Sequence, residues 1–372
     1  MPPSPSLPPS SKSLTYTHPS SAPHITFSPL TPPGPAELLI KVHAAAINPV
    51  DIQLWGNPVI GLLAGKKEKG IGCDYSGVIV GVGKGLKDGK WEEGAEVFGL
   101  FSRPTGEGTF SQYIKVTPSM DPICIKPSCW THEEAAAVPL VALTAFACLD
   151  WLPAENASKS PRRVVVAGAS GGVGIWCVQL SKLLHNAHVT AICSSRNTSF
   201  ARSLGADEII DYTSQPVAQT LLSNLPSGIK YDQYIDCVGG TEMFEHWDAL
   251  LHKNGSYTTI VGDKTSRTSM GGPLTYITYP SQVLRYIRGY IFGPRYANVL
   301  LYAESKYLEK LVRLTEEREE GKAEGKGVKL VVQDVVEGIL DEGAKGEEAW
   351  EKVRAYMVEG RVRGKIVVSI EH

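Results

Sequence analysis

The most constraining feature of the sequence is an apolar run that ends in a glycine-rich turn, Val164–Gly174. The β-branched residues Val164–Val166 are typical of a buried strand, and beyond the glycines the apolar spacing becomes helical. A strand, a glycine turn and a helix in this order favour a phosphate-binding site, because glycines admit a pyrophosphate and a helix N-terminus offers unpaired N–H groups. Laid on the pattern G-x-G-x-x-G, the turn has Ala169 at the first position and Gly171 and Gly174 at the other two. The sequence therefore predicts a dinucleotide site, the alternative being a plain tight connection between strand and helix.

Length, charge and cysteine content narrow the class of protein. The 372 residues suffice for two domains, and 37 basic against 39 acidic residues with no long basic run give no support to a nucleic-acid or anionic-membrane partner. The sequence has no window of 18 consecutive apolar residues, so it does not predict a membrane span. The seven cysteines are odd in number and lie mostly among apolar neighbours, which indicates reduced thiols. We therefore expect a cytoplasmic protein.

The pattern along the chain changes character near Thr131. Before it, short apolar segments from Leu38–His43 onward are broken by glycines, which predicts a small barrel or sandwich. Thr131 is a plausible N-cap for the alanine-rich helix Glu133–Leu149. From residue 187 to residue 261 strand and helix patterns alternate, which predicts a doubly wound parallel sheet. A charged helix, Lys306–Glu320, and further strand patterns up to Lys365–Ile370 complete the chain.

Several short motifs occur together between residues 36 and 370. They are Ala46–Asp51, Gly72–Val78, Gly108–Tyr113, Ala135–Pro139, Leu143–Ala145, the glycine-rich turn, Leu204–Asp207, Asp236–Gly240 and Gly360–Lys365. In this order they make the chain resemble the medium-chain dehydrogenase/reductase superfamily, and specifically its zinc-independent quinone oxidoreductase (zeta-crystallin-like) branch.

This resemblance implies an α/β fold with a GroES-like β-barrel catalytic domain and a doubly wound Rossmann cofactor domain. We expect the catalytic domain in residues 1–130, with residues 1–20 as a flexible tail, the NADP-binding domain in 131–315, and a return to the catalytic domain in 316–372. The tyrosine-rich segment Thr265–Leu301 is longer than the resemblance covers, and it is interpreted as an insertion that shapes the pocket or an oligomer surface. A homodimer is an expectation from the resemblance alone.

The resemblance also bears on zinc. Zinc-dependent relatives place a cysteine where this chain has Asn48 and a histidine where it has Cys73, and Leu140 lies near the expected third ligand. The stretch Leu100–Gly108, which corresponds to the structural zinc lobe, has no cysteine, and Cys124 and Cys129 form a close pair without a second one. One thiol cannot replace a tetrahedral ligand set, so we expect no metal and interpret Cys73 as a core thiol.

The end of the second strand of the cofactor domain bears on the choice between NADPH and NADH. An NAD site usually has an acidic residue about 20 residues after the glycines, but Ala191–Asn197 contains none. Ser194, Ser195 and Arg196 instead offer hydroxyls and a guanidinium to a 2′-phosphate. By resemblance, Tyr212 would lie beside that phosphate. We expect NADPH, the alternative being an exposed polar loop without a ligand.

The remaining cofactor candidates come from four places in the chain. They are the glycine-turn residues Ser170, Gly171, Gly172 and Val173, the strand-end residues Val238 and Gly262, Thr144 and Lys365. By resemblance Thr144 would contact the nicotinamide side, although a helical threonine also bonds its own backbone. Lys365 would reach a cofactor phosphate, or be a solvated lysine.

Asn48 and Asp51 are the catalytic candidates, and both rest on the resemblance. Asn48 would lie near the nicotinamide and hydrogen-bond substrate or cofactor, while its structural alternative is an Asn-Pro turn. Asp51 would take part in the site or only brace that loop. Relatives often carry a tyrosine shortly after this motif, but the stretch Leu54–Pro58 has none, so the sequence names no proton donor.

Three functions are compatible with these observations. The first is an NADPH-dependent reductase that transfers a hydride to a small electrophilic acceptor, a quinone or an α,β-unsaturated carbonyl compound (enone), without zinc. The second is an enoyl-thioester reductase, including one that serves a polyketide synthase in trans. The third is a non-catalytic NADPH-binding regulatory protein, which the missing tyrosine leaves open. The acceptor cannot be deduced from the sequence.

Overall fold

The computed structural model describes residues 7–86, 89–154, 161–226, 229–264, 266, 275–319 and 328–370. The strands are β1 (Ser10–Tyr16), β2 (His24–Pro29), β3 (Leu38–Ile47), β4 (Lys69–Gly70), β5 (Asp74–Val82), β6 (Glu96–Leu100), β7 (Tyr113–Val116), β8 (Ile123–Ile125), β9 (Arg163–Ala167), β10 (His188–Cys193), β11 (Glu208–Asp211), β12 (Tyr231–Asp236), β13 (Leu251–Thr259), β14 (Arg295–Asn298), β15 (Val332–Val336) and β16 (Lys365–Ser369). The helices are α1 (Pro49–Trp55), α2 (Pro58–Ala64), α3 (His132–Ala136), α4 (Pro139–Leu149), α5 (Gly172–His185), α6 (Thr198–Ser203), α7 (Val217–Ser223), α8 (Trp247–Leu250), α9 (Thr275–Thr278), α10 (Ser281–Phe292), α11 (Ser305–Glu319) and α12 (Ala344–Glu359).

The chain divides into two compact units, and both are discontinuous in sequence. The first comprises Met1–Leu140, Ala303–Arg361 and Lys365–His372, and the second comprises Val141–Tyr302 and Val362–Gly364. We expected boundaries at 130/131 and 315/316, whereas the division falls at 140/141 and 302/303. The reason is local packing: α3 packs on β3 and β5, and α11 packs on β8, so both helices belong to the first unit.

The first unit is built on antiparallel strands. Its larger sheet has the order β15-β16-β3-β5-β6-β8, with β7 also pairing with β3, and a smaller sheet has the order β2-β1-β4. Strand β3 is central and mostly buried, as its largely apolar sequence predicts, and only Lys41 and His43 are half-buried. Because β16 pairs with β3 through Ile366 and Ile47, the end of the chain places Lys365 beside the residue that precedes α1.

The second unit contains a six-stranded sheet with the order β11-β10-β9-β12-β13-β14, and every pair in it is parallel. This is the order 3-2-1-4-5-6 of dinucleotide-binding sheets, so the predicted doubly wound sheet is confirmed. The strand order reverses between β9 and β12, and ligands of such sheets bind outside the carboxyl ends of the strands at this point.

Two elements of the second unit differ from the sequence expectation. Within the alternating pattern of residues 187–261, Glu242–Leu251 has the sequence pattern of one helix, but the structure has a 3-10 turn over Glu242–Glu245 followed by the single turn of α8. The segment interpreted as an insertion contributes β14, which extends the sheet beside β13, and α10, which packs on β14. Residues 265 and 267–274 of that segment lie outside the described residues.

Among the described helices, none combines the length and the apolar character that a membrane crossing requires.

Candidate cofactor and acceptor sites

Residues 168–171, called the glycine turn below, join β9 to α5 in a conformation that depends on glycine at two points. Gly168 has a φ of +74°, which side chains disfavour. At Gly174, the first buried residue of α5, a Cβ atom would lie 2.2 Å from the carbonyl oxygen of Gly168. The helix therefore starts in direct contact with the end of the strand, as in dinucleotide-binding folds.

The N-terminus of α5 offers unpaired N–H groups to a ligand. The helix begins at Gly172 with Gly171 as its N-cap, so the first N–H groups of the helix have no partner within it. Ser170, Gly171, Gly172 and Val173 are all half-buried rather than covered. The structure thus brings four of the predicted residues together in an arrangement that fits the pyrophosphate of a dinucleotide.

The residue whose backbone requires glycine lies one position before Ala169, the first position of the fingerprint as laid on the sequence. The positive φ of the turn falls on Gly168, whereas Ala169 is completely buried. The signal was available, since Gly168 directly follows the apolar run of β9.

The predicted residues at the end of β10 lie beside the glycine turn. Ser195 and Arg196 belong to a 3-10 turn and are exposed, and Ser194 precedes them. Buried Asn197 connects this turn to the glycine turn, because its Nδ2 donates hydrogen bonds to Ser170 Oγ at 2.9 Å and Ser194 Oγ at 3.4 Å.

A second arginine reaches the same place from the end of the chain. Arg363 Nε donates a hydrogen bond to Asn197 Oδ1 at 3.2 Å, and its guanidinium lies 5.1 Å from the centre of the Phe200 ring. The next residue, Gly364, donates its N–H to the Ser170 carbonyl at 3.0 Å. Sequence reasoning singled out neither Asn197 nor Arg363 as a site residue, because 166 residues separate them and no local pattern joins them.

A carboxylate does lie near this turn, which the sequence argument did not foresee. Asp211, at the end of β11, accepts hydrogen bonds from the Ser195 N–H at 3.1 Å, from the Thr213 hydroxyl at 2.6 Å and from the Ser214 hydroxyl at 2.9 Å. The bonds from Thr213 are the main cause of a lowered pKa of Asp211, so the carboxylate is held ionised. Tyr212, the next residue, is 58% exposed.

Val238 and Gly262 follow neighbouring strands at the carboxyl edge of the sheet. The Val238 N–H donates to Asp236 Oδ1 at 2.9 Å, and the Gly240 N–H donates to the Gly262 carbonyl at 3.3 Å, so the two loops are joined. Val238 is 58% exposed. Thr144 is buried within α4.

A buried polar cluster, formed by Asn48, Asp51, Cys73, Asp74 and Lys365, lies in the first unit. The Asn48 side chain donates to Asp74 Oδ2 at 2.9 Å, and the ammonium of Lys365 lies 3.0 Å from the same oxygen and also donates to Asn48 Oδ1. The ion pair between Lys365 and Asp74 compensates two charges that would be costly to bury singly.

This geometry differs from what was expected of Lys365. Its side chain is only 4% exposed, and its ammonium is engaged by Asn48 and Asp74. Neither a solvated lysine nor a contact with cofactor phosphate fits this position, because leaving it would strand the Asp74 charge in the interior.

Asp51 braces the start of α1. Its Oδ2 accepts the Asn48 N–H at 2.7 Å and its Oδ1 accepts the Cys73 thiol at 3.0 Å. Where the structural alternative for Asn48 was an Asn-Pro turn, the structure has a helix start, with Asn48 as the N-cap and Pro49 as the first helical residue. Burial raises the pKa of Asp51 to about 6, although the bonds from Cys73 and Asn48 oppose it. Burial, and the nearby Asp51 charge, raise the pKa of the Cys73 thiol.

The donor set of this cluster does not fit zinc. The Asn48 amide is occupied by Lys365 and Asp74, the Cys73 thiol is bonded to Asp51, and the ammonium would repel a second cation. Within the described ranges, no three histidine, cysteine or acidic side chains are arranged to hold a metal ion.

A small recess of about 20 Å³, enough for a water molecule, opens over part of the cluster. Its walls come from four segments of the first unit. They include Tyr16 of β1, Asp51 and Leu54 of α1, Gly70–Cys73, and the loop residues Ser102, Arg103, Pro104 and Glu107. The charge of Arg103 is taken up by two bonds to Asp121, at 2.6 and 2.8 Å. Sequence reasoning missed Tyr16, which is distant in sequence from every motif.

Comparison with known proteins gives two family matches, one in each unit. Residues 34–126 match the alcohol dehydrogenase GroES-like domain, and residues 172–293 match the zinc-binding dehydrogenase domain. The solved structure of the quinone oxidoreductase from Coxiella burnetii aligns with 97% of the chain at a TM-score of 0.73 and 21% identity, and 100% of that structure is covered. The barrel-plus-Rossmann fold class is thereby confirmed.

Curated relatives cover most of the chain. The mitochondrial NAD(P)H oxidoreductase RTN4IP1 of Bos taurus is 32% identical over 90% of this chain and 82% of its own length. The chloroplast envelope quinone oxidoreductase homolog of Arabidopsis thaliana is 32% identical over 92% of both chains. The trans-enoyl reductase pgmF of Aspergillus terreus is 31% identical over 91% of this chain and 87% of its own length.

Proposed function

Because the chain belongs to the medium-chain dehydrogenase/reductase superfamily, in its quinone oxidoreductase branch, we propose that it reduces a quinone or an enone with NADPH and without zinc. The observation that carries this proposal is the glycine turn, where the 2.2 Å approach of a Cβ at Gly174 to the Gly168 oxygen leaves room for no residue but glycine. Such a turn at the carboxyl end of the first strand of a doubly wound sheet is the standard site for a dinucleotide pyrophosphate.

NADPH rather than NADH is supported by the charges around Asn197. Arg196 is exposed next to Asn197 in sequence, and Arg363 bonds to Asn197. Two guanidiniums and the Ser194 and Ser195 hydroxyls therefore outnumber the one carboxylate at this turn, Asp211, which bonds to the Ser195 N–H. The donors on Asp211 already occupy that carboxylate, which weakens its repulsion of a 2′-phosphate. Tyr212 is exposed on the same edge and belongs to this proposal.

The proposal assigns the remaining candidate residues as follows. When bound, the nicotinamide supplies a hydride. The chain's own residues bind and orient: Ser170–Val173 at the pyrophosphate, and Val238 and Gly262 at the carboxyl edge, with Thr144 on the nicotinamide side. Asn48 and Asp51 belong to the acceptor side, where Asn48 is held rigid by Lys365 and Asp74.

The proposed absence of zinc rests on the donor set described above, not on the name of the matching family. A ligand set interrupted by an asparagine amide and an ammonium lacks the four donors that zinc requires. Reduction of an acceptor that is already electrophilic needs no Lewis acid, which supports quinones and enones over alcohols.

NADPH oxidation by the purified protein, with a panel of quinones, enones and 2-enoyl thioesters, tests the proposal. Turnover of a quinone or an enone, with NADPH preferred over NADH and less than one zinc per chain, is the expected result. Turnover of enoyl thioesters alone would favour the function named for the Aspergillus terreus relative. Tight NADPH binding without turnover on any acceptor would favour a non-catalytic role.

A homodimer is supported by the outer face of α10. Arg285 and Arg288 point back to Asp263 and Asp248, at 2.6 and 2.5 Å. Away from these two arginines, the helix carries apolar side chains that are about half or more exposed among the described residues: Leu284, Tyr286, Ile287, Tyr290 and Ile291. A contiguous apolar face of this kind is typical of a protein interface, and a symmetric second copy is its proposed occupant.

A cytoplasmic location is supported by the cysteines. All seven are free thiols, and five of them are buried, which suits a reducing compartment. Cell fractionation tests this proposal, since relatives carry mitochondrial and chloroplast names.

A further inference from the structure

Arg285 of α10 and Asp263, the residue after Gly262, form a shielded ion pair in the second unit. Arg285 Nη1 lies 2.6 Å from Asp263 Oδ1 and 2.7 Å from Asp263 Oδ2, and the Ser281 hydroxyl donates to the latter oxygen at 2.8 Å. The Asp263 side chain is only 4% exposed and the Arg285 side chain 17%. Because water screens this pair weakly, the loss of either partner would leave a charge with little compensation.

The guanidinium of Arg285 is also held by an aromatic ring. It lies 3.8 Å from the centre of the Phe244 ring, a distance that allows a cation–π contact. The Phe244 ring in turn packs against Tyr257 of β13 and Tyr296 of β14, with 4.7 and 5.7 Å between ring centres. Arg285 therefore connects Asp263 to the side chains that cover the sheet.

The same carboxylate belongs to a pair of loops at the carboxyl edge of the sheet, residues 237–240 after β12 and residues 260–264 after β13. The two loops touch through their backbones, since the Gly240 N–H donates to the Gly262 carbonyl at 3.3 Å. A Cβ at Gly239 would lie 2.6 Å from the Lys264 carbonyl oxygen, so the approach is too close for any other residue. Asp263 ties this backbone contact to α10, which lies outside both loops.

We propose that Arg285 and Asp263 are positioning residues for the nicotinamide half of the cofactor. This inference rests on the proposed function, in which Val238 and Gly262 lie at the nicotinamide half. A doubly wound sheet binds a dinucleotide across the point where its strand order reverses, so each half of the sheet takes one mononucleotide. The proposed 2′-phosphate site follows β10, which assigns the adenosine half to β9–β11 and the nicotinamide half to β12–β14.

The two residues act through the backbone of the loops. With the ion pair intact, the loops after β12 and β13 present one surface to the nicotinamide. Without it, the carboxylate or the guanidinium must move to find water, and the loop at Gly262 moves with it. Hydride transfer depends steeply on the distance and angle between donor and acceptor carbons, so a small displacement costs more in kcat than in affinity.

The test measures two ligands, NADPH and adenosine 2′,5′-bisphosphate, which carries only the adenosine half. In Arg285→Ala the Kd for NADPH should rise by about tenfold, the usual range for a residue that acts without touching the ligand. The Kd for the bisphosphate should stay unchanged. With the best acceptor of the wild type, kcat should fall by about 100-fold.

Arg288→Ala is the matched control on the same helix. Arg288 is also ion-paired, to Asp248 at 2.5 Å, and its guanidinium also lies over a ring, 4.8 Å from the centre of that of Trp247. Asp248 belongs to α8, which directly precedes β13, so this pair lies at the amino end of the strand that Asp263 follows. Both affinities and kcat should therefore keep their wild-type values.

Two conservative variants separate the ion pair from general packing. Asp263→Asn keeps the shape of the side chain and removes its charge, so it should fold and show the same selective loss for NADPH. Arg285→Lys keeps a positive charge near Asp263 and should recover most of the kcat lost in Arg285→Ala. The fluorescence of bound NADPH, which reports the surroundings of the nicotinamide and needs no acceptor, should change in Arg285→Ala and Asp263→Asn but not in Arg288→Ala.

The outcomes are distinguishable. Wild-type NADPH affinity, fluorescence and kcat in Arg285→Ala and Asp263→Asn would overturn this inference alone. Equal losses for NADPH and the bisphosphate would also overturn it, as would an Arg285→Lys variant as impaired as Arg285→Ala, since a general loss of packing would then explain the result. A wild-type protein that binds neither ligand would overturn the proposed function, and this inference with it.

Discussion

Arg363 donates a hydrogen bond from Nε to Asn197 Oδ1 at 3.2 Å, joining residues that lie 166 positions apart. Through Asn197 Nδ2 the link continues to the Ser170 hydroxyl at 2.9 Å, and so to the glycine turn. A single buried amide therefore couples the proposed 2′-phosphate site to the pyrophosphate site.

Replacing Arg363 with alanine should raise the Kd for NADPH by about tenfold and that for NADH by much less, since one charge-assisted contact is worth roughly 1.4 kcal/mol. Titration of cofactor fluorescence measures both constants. Arg361→Ala, which removes an exposed arginine two residues earlier, is the matched control. Equal losses for both cofactors would mean that Arg363 acts only through Asn197.

Arg196→Ala should show the same selectivity, because Arg196 is exposed on the 3-10 turn after β10. The Kd for NADPH should rise by about 10- to 100-fold, the range of a hydrogen bond to a charged group. Arg202→Ala, on the exposed side of α6, should leave both cofactors unaffected. Unchanged NADPH binding in Arg196→Ala would move the phosphate site away from this turn.

Gly171→Ala and Gly174→Ala should separate cofactor binding from folding. A Cβ at position 171 would lie an ordinary 3.4 Å from the Gly168 oxygen, so this variant should fold but lose about tenfold or more in cofactor affinity. A Cβ at position 174 would lie 2.2 Å from the same oxygen, so that variant should be destabilised by several kcal/mol. Thermal unfolding together with cofactor titration measures both effects, and wild-type affinity in Gly171→Ala would contradict the phosphate site.

The raised pKa of Asp51 predicts how stability depends on pH. The folded-state pKa is about 6 and the unfolded value is near 3.9, so the folded protein binds the extra proton between these values. The contribution of Asp51 to the free energy of unfolding is therefore greatest below about pH 4 and is lost as the pH rises through 6. The unfolding free energy of the wild type minus that of Asp51→Asn should fall by on the order of 2–3 kcal/mol between pH 4 and pH 7. Denaturant unfolding at four pH values measures it, and a constant difference would show that Asp51 titrates normally.

Charge on the outer face of α10 should break the proposed dimer. Leu284→Asp combined with Ile287→Asp places two carboxylates on the exposed apolar face and should yield a protein of monomer mass by light scattering. Leu62→Asp, at a residue of α2 that is 83% exposed in the first unit, is the control and should keep the wild-type mass. A wild-type protein of monomer mass would contradict the proposed homodimer.

The fold of the second unit was predictable wherever a strand carries its own signal. β9 and β10 are largely apolar runs before a glycine or polar turn, and both are strands of the predicted parallel sheet. β14 was not predictable, because Arg295–Asn298 is a short polar-aromatic stretch that becomes a strand only by pairing with β13.

The candidate site residues also divide into those that a local sequence pattern predicts and those that it does not. Ser170–Val173 follow from a local pattern, and the structure brings them together. The position of Lys365 does not follow from a local pattern, because its partner Asp74 is 291 residues away. Only the pairing of β16 with β3 brings the two together. Tyr16 and Asn197 were missed for the same physical reason: their roles arise from contacts between distant segments, not from their neighbours in sequence.

The return of Val362–Gly364 to the second unit limits how this protein can be recombined with others. Residues 141–302 expressed alone would lack the Gly364 bond to Ser170 and the Arg363 bond to Asn197. A chimaera that receives only the continuous segment 141–302 from another protein would therefore keep its own residue at position 363. If the proposed cofactor site is correct, cofactor preference is divided between two stretches of the gene, and both must be transplanted together.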